Sequence, residues 1–414
     1  MRPYKVLLFI ACVMAILGTV YFLFPEESAV PVAEVMVAQD TVVIADTLIA
    51  DTLIAEEQES EKIVIPIVQV DSTTDSRYYL QAFYQSLAES GSRVVRVLHY
   101  GDSQIEEDRM TQQIREALQA RYGGSGCGLM PLAQTIPNYT VKQQLRMNGR
   151  YVNPQALKRN MVYGLKSEQR KDGLYGVMGQ MTTMSDSLVK GSEALTAICT
   201  PLIASAHYSR WKVFADSSIH YSFSGDSVFL NGKGAVYALS QESETGVIVD
   251  NIPMRGCLGL VFTKMDRTQL SSFYREQNVR LIIMQFGGNA IPSNEKPGTI
   301  AAIVRGLREQ VRYVRECAPD ASILFIGPSD MIRQVDGEWQ TYPLVPYMDR
   351  LLRKMALEEG IAYFSLYSWM GGAGSMKHWQ EIGLAGADGV HFHRVGARKA
   401  GNAVAEWIMG GISE

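Results

Sequence analysis

In the last third of the chain, short apolar segments alternate with amphipathic helical patterns, and this alternation constrains the fold more than any other feature. Apolar residues at helical spacing run over 300–314 and precede a strand-like segment at 322–326. A second helical pattern at 348–355 precedes another strand-like segment at 361–364. Segments of this kind arise when helices connect neighbouring parallel strands and cover both faces of the sheet. The sequence therefore predicts an α/β fold, a doubly wound, mainly parallel sheet in three layers.

The N-terminal end of the chain has the pattern of a membrane anchor. Residues 6–24 form an uncharged run of 19 residues. At about 1.5 Å of helical rise per residue, this run is just long enough to cross a bilayer core of roughly 30 Å. Arg2 and Lys5 precede it and two glutamates follow it, so the positive-inside rule predicts that everything beyond it is exported. We predict an uncleaved anchor at residues 1–24, with a cleaved signal peptide and a lipoprotein attached at Cys12 as alternatives.

An acidic, low-complexity segment follows the apolar run. Residues 25–62 contain ten acidic residues and one lysine, and the five residues 46–50 are repeated at 51–55. Such composition is typical of an extended linker, which we place at residues 25–75, although its Val and Ile content also permits a short strand. The formal net charge of the whole chain is −4, so it lacks the basic surface that nucleic-acid binding requires.

The strongest local motif is a strand, a tight turn with a serine, and a helix. Residues 93–100 are β-branched and apolar, Gly101-Asp102-Ser103-Gln104 follow directly, and a helical pattern then runs to Gly123. This order can place a serine hydroxyl at the carboxyl edge of a parallel sheet, where open α/β folds hold their sites. The start of the helix would offer backbone N–H groups to a developing oxyanion.

Three later blocks accompany this motif. Gly287-Gly288-Asn289 follows an apolar strand at 280–286, and Asp388-Gly389-Val390-His391 precedes the last helical pattern. Gly256 lies on a loop after the strand-like residues 246–250. In this order the four blocks resemble those of the SGNH/GDSL hydrolase superfamily, with Gln104 where the name-giving pattern has Leu. The resemblance covers about residues 76–412 and implies a flavodoxin-like arrangement of the sheet.

The resemblance implies a role for each matching residue. Ser103 would be the nucleophile, His391 the general base and acid, and Asp388 the carboxylate that orients His391. The oxyanion would be bound by the N–H groups of Ser103 and Gly256 and by the side-chain amide of Asn289. No cofactor is implied, and His391 and His393 lack further ligands at a spacing typical of a metal site.

Several other residues have a functional and a structural interpretation. We interpret His99 as a buried core histidine and His393 as a surface or supporting residue. Asp102 is expected to brace the turn, as in the superfamily, rather than to join the triad. Trp379 is expected to be a buried aromatic residue rather than the wall of an acyl pocket.

The cysteines do not indicate a disulfide scaffold. The exported part contains four, and no two of them form a CxxC pair. They allow three full pairings, among which the sequence selects none: Cys127, Cys199, Cys257 and Cys317.

A long β-rich segment separates the first block from the second. Residues 209–214, 220–223 and 227–230 have the alternation of strands, with turn signals between them. We predict a β-sandwich inserted in the hydrolase. This layout is similar to the peptidoglycan O-acetylesterases of the superfamily, which carry a carbohydrate-binding-like domain there, and a purely structural β domain is the alternative. The predicted divisions of the chain are an anchor at 1–24, a tether at 25–75, a first hydrolase part at 76–135, an insert at 136–250 and a second hydrolase part at 251–414.

The functional hypothesis is a serine esterase of the cell envelope. It would be anchored in the inner membrane through residues 6–24, with its catalytic part in the periplasm, and would remove acetyl or other small acyl groups from peptidoglycan or a related glycan. An O-acyltransferase with the same triad and a catalytically dormant glycan-binding protein are the alternatives. The sequence does not select the glycan, the acyl group or the oligomeric state.

Overall fold

The computed structural model describes residues 65, 66, 68, 75–185 and 194–412. The predicted anchor and most of the predicted tether lie outside these residues. No helix in the described part of the chain is both long and apolar enough to cross a membrane. All of the described residues belong to one compact unit.

The strands are short, and most belong to one of three sheets of comparable size. In chain order they are β1 (Val94–Gly101), β2 (Gly128–Met130), β3 (Val141–Met147), β4 (Arg150–Val152), β5 (Arg159–Met161), β6 (Gln180–Met184), β7 (Leu195–Pro201), β8 (Arg210–Ala215), β9 (Ile219–Ser224), β10 (Ser227–Gly232), β11 (Gly234–Glu242), β12 (Gly246–Pro253), β13 (Val279–Gln285), β14 (Ser322–Ile326), β15 (Ile332–Val335), β16 (Glu338–Thr341) and β17 (Ala362–Phe364).

Among the described residues, the α-helices lie outside the segment that contains β3 to β11. They are α1 (Gln81–Ser86), α2 (Thr111–Tyr122), α3 (Arg267–Glu276), α4 (Pro297–Cys317), α5 (Val345–Glu359), α6 (Leu366–Met370), α7 (Ser375–Glu381) and α8 (Arg394–Met409). Short 3₁₀ turns complete the framework, and two of them, Ser103–Asp108 and Gly288–Ala290, carry predicted site residues.

The central sheet is parallel throughout, with the strand order β12-β1-β13-β14-β17. Numbered along the chain, these five strands have the order 2-1-3-4-5, which is that of flavodoxin-like folds. Every residue of β1 is buried, as expected for a strand covered on both faces. The predicted α/β fold with a mainly parallel sheet is confirmed.

Helices cover both faces of this sheet and produce three layers. Alternate residues of β13 point to opposite faces, so Ile282 packs with α3, α4 and α5, whereas Ile283 packs with α1, α2 and α8. The two apolar clusters formed in this way hold the sheet rigidly between them. The carboxyl ends of its strands are thereby held in place, and so are the side chains that follow them.

The long segment between α2 and β12 forms two antiparallel sheets. One has the order β4-β3-β7-β10-β9, and the other has the order β2-β11-β6-β5 with β8 paired to β11. Leu145 and Leu230 of the first sheet share an apolar cluster with Met184 and Leu239 of the second. The predicted strands at 209–214, 220–223 and 227–230 correspond to β8, β9 and β10. β12 belongs to the parallel sheet and runs across the predicted division at residue 250.

Buried charges connect the antiparallel part to the parallel sheet. Arg96 of β1 lies 2.8 Å from Asp250 of β12 and also pairs with Glu242 of β11, and all three side chains are fully buried. Glu242 receives further ion pairs from Arg210 at 2.9 Å and Lys212 at 2.7 Å. Burial alone would raise the pKa of Glu242, but the charges of Arg96 and Lys212 outweigh it and lower that pKa to about 2. This network therefore holds Glu242 ionised inside the protein.

Three cysteines are buried thiols outside any disulfide: Cys127, Cys199 and Cys317. None of the three full pairings is therefore formed. Burial raises the pKa of the Cys199 thiol to about 12, so it stays protonated at neutral pH.

Candidate active site

Ser103 lies at the carboxyl edge of the parallel sheet, directly after β1. Asp102 caps the 3₁₀ turn that begins at Ser103, because its Oδ1 accepts the N–H of Gln104 at 3.0 Å. The N–H of Asp102 donates to the carbonyl of Gln285 at 3.2 Å, which fixes the turn to the end of β13. The serine hydroxyl is consequently presented from a rigid turn.

Ser103, His391 and Asp388 form a continuous hydrogen-bonded chain. Ser103 Oγ lies 2.8 Å from His391 Nε2, and His391 Nδ1 lies 2.7 Å from Asp388 Oδ2. With Asp388 ionised, Nδ1–H donates to it, which leaves Nε2 as the acceptor for the serine proton. Ser103 and His391 are 288 residues apart in the chain, so the fold alone brings them together.

Asp388 is held in its ionised form by donors from its own turn. Its Oδ1 accepts the N–H groups of Val390 and His391, both at 3.0 Å. Although burial raises its pKa, these bonds and the one from the His391 ring dominate and lower the pKa of Asp388 to about 2. The carboxylate is therefore charged at any pH at which the protein would work.

In the turn that carries His391, four successive backbone carbonyl groups each accept a hydrogen bond. The donor–acceptor pairs are Ile332 N to Gly389 O at 3.0 Å, Gln104 Nε2 to Val390 O at 2.7 Å, Gly386 N to His391 O at 2.8 Å, and Arg109 Nη1 to Phe392 O at 3.4 Å. The side chains of His391 and Asp388 are 39% and 50% exposed, so packing alone does not fix them. Hydrogen bonds to the backbone therefore position the histidine.

Asn289 and Gly256 occupy the loops on either side of Ser103. Asn289 Nδ2 donates to Asp102 Oδ2 at 3.3 Å and to the carbonyl of Cys257 at 3.2 Å. Gly256 lies in the turn after β12 with φ of +70°, a conformation that favours glycine. The loops carrying the predicted oxyanion donors thus meet beside Asp102.

A small cavity adjoins Ser103 and His391. Its volume is 40 Å³. Its walls combine polar and apolar groups, including Gln104, Asn289, Phe286, Ser329 and Met331, whereas Gly256 lies outside its lining. A larger cleft of 340 Å³ between residues 162–175 and 263–266 is lined by none of the three residues of the hydrogen-bonded chain.

The architecture matches that of a solved enzyme. A structure described as a peptidoglycan O-acetylesterase aligns with 82% of this chain and 98% of its own chain, with a TM-score of 0.63 and 21% sequence identity. The chain has the fold of the SGNH hydrolases.

Other solved structures align with less of this chain, and two further comparisons find nothing. A carbohydrate acetylesterase from Sinorhizobium meliloti aligns with 40% of this chain and 79% of its own, with a TM-score of 0.30 and 15% identity. An acetyl xylan esterase aligns with 40% of this chain and 82% of its own, with a TM-score of 0.28 and 11% identity. No family model matches the sequence, and no curated protein matches it either.

One carboxyl group and one imidazole group near the hydrogen-bonded chain Ser103–His391–Asp388 are buried without belonging to it. Burial raises the pKa of Asp102 to about 6, against the opposing effects of the Gln104 N–H and of His391. His99 lies beneath them, with Nε2 3.1 Å from Gln285 Oε1 and Nδ1 2.9 Å from Thr111 Oγ1. Burial lowers the pKa of His99 to about 4, so it is a neutral core histidine, in agreement with the sequence-based interpretation.

The remaining candidates have structural surroundings. Trp379 is 4% exposed and packs against the rings of Trp369 and Phe392, as a buried aromatic residue would. His393 Nδ1 contacts the carbonyl of Gly383 at 3.2 Å near the start of α8. Within the described ranges, no cluster of three or more His, Cys, Asp and Glu side chains could hold a metal ion.

Two contacts of the site were not anticipated from the sequence. Arg255, next to Gly256, forms a double hydrogen bond with the buried Glu106 at 2.8 and 2.6 Å, which links the loop after β12 to the serine turn. Gln104 reaches the carbonyl of Val390. The departure from Leu at position 104 was the only sequence signal for the second contact, and nothing in the spacing indicated the first.

Proposed function

We propose that the protein is a serine esterase that removes O-acetyl groups from a cell-envelope glycan such as peptidoglycan. The observation that carries this proposal is the hydrogen-bonded chain Ser103–His391–Asp388 at the carboxyl edge of the parallel sheet. An unactivated serine hydroxyl is a poor nucleophile, and a base at 2.8 Å supplies the activation that ester cleavage needs.

The reaction would proceed through an acyl-enzyme in two halves. Ser103 Oγ attacks the acetyl carbonyl while its proton passes to His391 Nε2, and Asp388 stabilises the resulting imidazolium. Collapse of the tetrahedral intermediate breaks the bond to the sugar oxygen, which takes the proton from His391. Water then attacks acetyl-Ser103, with His391 as base, and acetate leaves with the serine proton restored.

The oxyanion would be stabilised by donors that converge next to Ser103. We assign this role to the N–H groups of Ser103 and Gly256 and to the amide of Asn289. The present hydrogen bonds of Asn289 are long, 3.3 Å to Asp102 and 3.2 Å to Cys257, so its amide can exchange one of them for an oxyanion. Loss of one such donor typically lowers kcat by about 10²- to 10³-fold.

The small volume of the cavity beside Ser103 and His391, 40 Å³, supports a short acyl group such as acetyl as the transferred group. The solved structure that shares this fold is described as a peptidoglycan O-acetylesterase, which supports a glycan as the carrier of that group.

The antiparallel part offers a surface for the glycan. Tyr221 and Phe223 on β9 are 50% and 42% exposed, and the ring of Trp211 lies parallel to that of Phe223 at 6.1 Å between centroids. Exposed aromatic groups of this kind mark binding surfaces, and flat rings suit the faces of sugar rings. We assign the segment 136–250 a carbohydrate-binding role on this ground.

The cellular location follows from the N-terminal pattern. Residues 6–24 would anchor the protein in the inner membrane and leave the catalytic part in the periplasm, next to its substrate. Beyond residue 62 the chain has 36 basic and 33 acidic residues, so its net charge does not oppose approach to an anionic cell wall.

The test uses a soluble protein that lacks residues 1–62, assayed on p-nitrophenyl acetate and on O-acetylated peptidoglycan. We expect release of acetate from both, and loss of that activity in Ser103→Ala and His391→Ala. His393→Ala is the matched control, since His393 is two residues away and contacts only a backbone carbonyl among the described groups. A wild-type protein inactive on every short-chain ester would contradict the proposal.

A further inference from the structure

The side chain of Gln104 connects the two turns that carry the nucleophile and the base. Gln104 follows Ser103 directly, and its Nε2 donates to the carbonyl of Val390, directly before His391, at 2.7 Å. This bond runs beside the contact of 2.8 Å between Ser103 Oγ and His391 Nε2. The two turns are therefore joined at adjacent residues by one bond that takes part in the proposed reaction and one that does not.

Packing alone does not account for an amide at this position. Gln104 is 8% exposed, and its Oε1 is buried without a hydrogen-bond partner among the described residues. A buried carbonyl oxygen left without a donor is destabilising, whereas an apolar side chain of the same length would fill the space without that cost. The amide differs from such an apolar side chain in that it donates a hydrogen bond to the Val390 carbonyl.

The histidine turn depends on such donors for its position. The side chains of His391 and Asp388 are 39% and 50% exposed, so few packed atoms restrain them. Of the four donors to this turn, Gln104 and Arg109 come from the serine turn and its C-terminal cap, and Gln104 is the one next to Ser103. Its bond to the Val390 carbonyl, at 2.7 Å, is shorter than that of Arg109 to the Phe392 carbonyl, at 3.4 Å, so loss of Gln104 would loosen the histidine turn from Ser103 most directly.

We propose that Gln104 is a positioning residue that holds His391 at hydrogen-bonding distance from Ser103 through the Val390 carbonyl. The proposal rests on the proposed serine chemistry, but it does not depend on which ester is the substrate. Because misplacement of a reacting group by about 1 Å can lower a rate about 100-fold, loss of this bond should slow the attack of Ser103.

Gln119 provides a matched control elsewhere in the molecule. It is also 8% exposed, its Nε2 donates to the carbonyl of Val247 at 3.1 Å, and its Oε1 is likewise buried without a partner among the described residues. Val247 lies near the start of β12, at the edge of the sheet opposite to Ser103. Gln119→Met therefore removes the same kind of contact at the same burial, away from the site.

The experiment compares Gln104→Met and Gln119→Met with the wild type in two reactions. One is phosphonylation of Ser103 by a fluorophosphonate probe, which needs only the activated serine, and the other is hydrolysis of p-nitrophenyl acetate. In Gln104→Met we expect labelling and kcat to fall about 10- to 100-fold with little change in KM. In Gln119→Met both should remain at the wild-type level.

Stability measurements separate positioning from a folding defect. We expect thermal midpoints of the two variants to change by similar amounts, since the two contacts are alike. Gln104→Asn, whose amide is too short to reach Val390, should be as slow as Gln104→Met. Labelling of Gln104→Met at the wild-type rate, or equal slowing of Gln119→Met, would overturn the proposal. Labelling of Ser103 in wild type without activity on acetylated glycan would overturn the substrate assignment instead and leave this comparison intact.

Discussion

Asp102 is a buried carboxyl group next to Ser103, and its protonation should be visible in the stability of the protein. Burial raises its pKa from 3.8 to about 6 in the folded state. Between these values the folded state binds more protons than the unfolded state, so the stability contributed by Asp102 falls as pH rises from about 4 to about 6. The shift corresponds to about 3 kcal/mol at most.

Asp102→Asn removes this titration while it keeps an oxygen for the N–H of Gln104. We expect the difference in free energy of unfolding, wild type minus variant, to decrease by up to about 3 kcal/mol between pH 4 and pH 7. Urea denaturation across this range measures it. The two proteins are compared at pH 4 as the reference, where Asp102 is protonated in the folded wild type. A difference that is constant with pH would show that Asp102 is not neutral in the folded state.

At the scale of elements, the buried ion network connects β11 to the paired strands β1 and β12. Arg96→Met leaves two buried carboxylates, Asp250 and Glu242, without their shared cation. We expect a loss of about 3–5 kcal/mol in the free energy of unfolding, because the buried Asp250 loses its cation, whereas Glu242 keeps its pairs with Arg210 and Lys212. The control is Arg93→Met, which breaks a pair with Glu89 whose side chains are 51% and 38% exposed. That change should cost less than about 1 kcal/mol, and equal losses in the two variants would contradict the role of the network.

The helix after the histidine turn packs closely against the start of α2. A Cβ at Gly401 in α8 would lie 2.5 Å from the carbonyl oxygen of Met110, so Gly401→Ala must push the two apart. We expect a loss of about 1–3 kcal/mol in chemical denaturation. Gly298 in α4 has no atom within 4 Å of a Cβ, and Gly298→Ala should be neutral or stabilising by up to about 1 kcal/mol. A neutral Gly401→Ala would mean that α8 can shift without cost.

The elements that the sequence predicted are those whose patterns are local. The strand expected at 93–100 is Val94–Gly101, the helix expected to stop at Gly123 ends at Tyr122, and the helical pattern at 348–355 lies within α5. By contrast, β11 ends in the polar residues Ser240, Gln241 and Glu242, which are all fully buried. Only distant partners such as Arg96 make that burial possible, so no local pattern predicts it.

The site shows the same limit: the sequence predicted its residues from local motifs but not the contacts between distant residues. The order of the blocks identified Ser103, Asp388 and His391, which the structure then places in hydrogen-bonding contact. The bond from Gln104 has a backbone carbonyl 286 residues away as its acceptor, and a carbonyl carries no residue-type signal. Contacts of this kind become visible only when the fold is known.

At the scale of the whole molecule, the proposed glycan surface and the proposed catalytic site lie on different parts of the chain and should respond separately. We expect the double variant Tyr221→Ser and Phe223→Ser to raise KM on acetylated peptidoglycan about 10-fold, since each aromatic contact contributes about 0.5–1.5 kcal/mol. Its kcat/KM on p-nitrophenyl acetate should not change. Tyr151→Ser is the control, because Tyr151 is 68% exposed on β4, at the opposite edge of the same sheet. Equal effects of both changes on the glycan would contradict a specific surface at β9.

The parallel pairing of β1 with β12 also decides when during biosynthesis this protein can become active. Val94 pairs with Gly246, so the nucleophile strand must wait for more than a hundred intervening residues before its neighbour exists. Ser103 is made 288 residues before His391. A nascent chain still emerging from the ribosome therefore has Ser103 but not His391. Under the proposed function, such a chain would cleave no ester until His391 has emerged and the parallel sheet has formed.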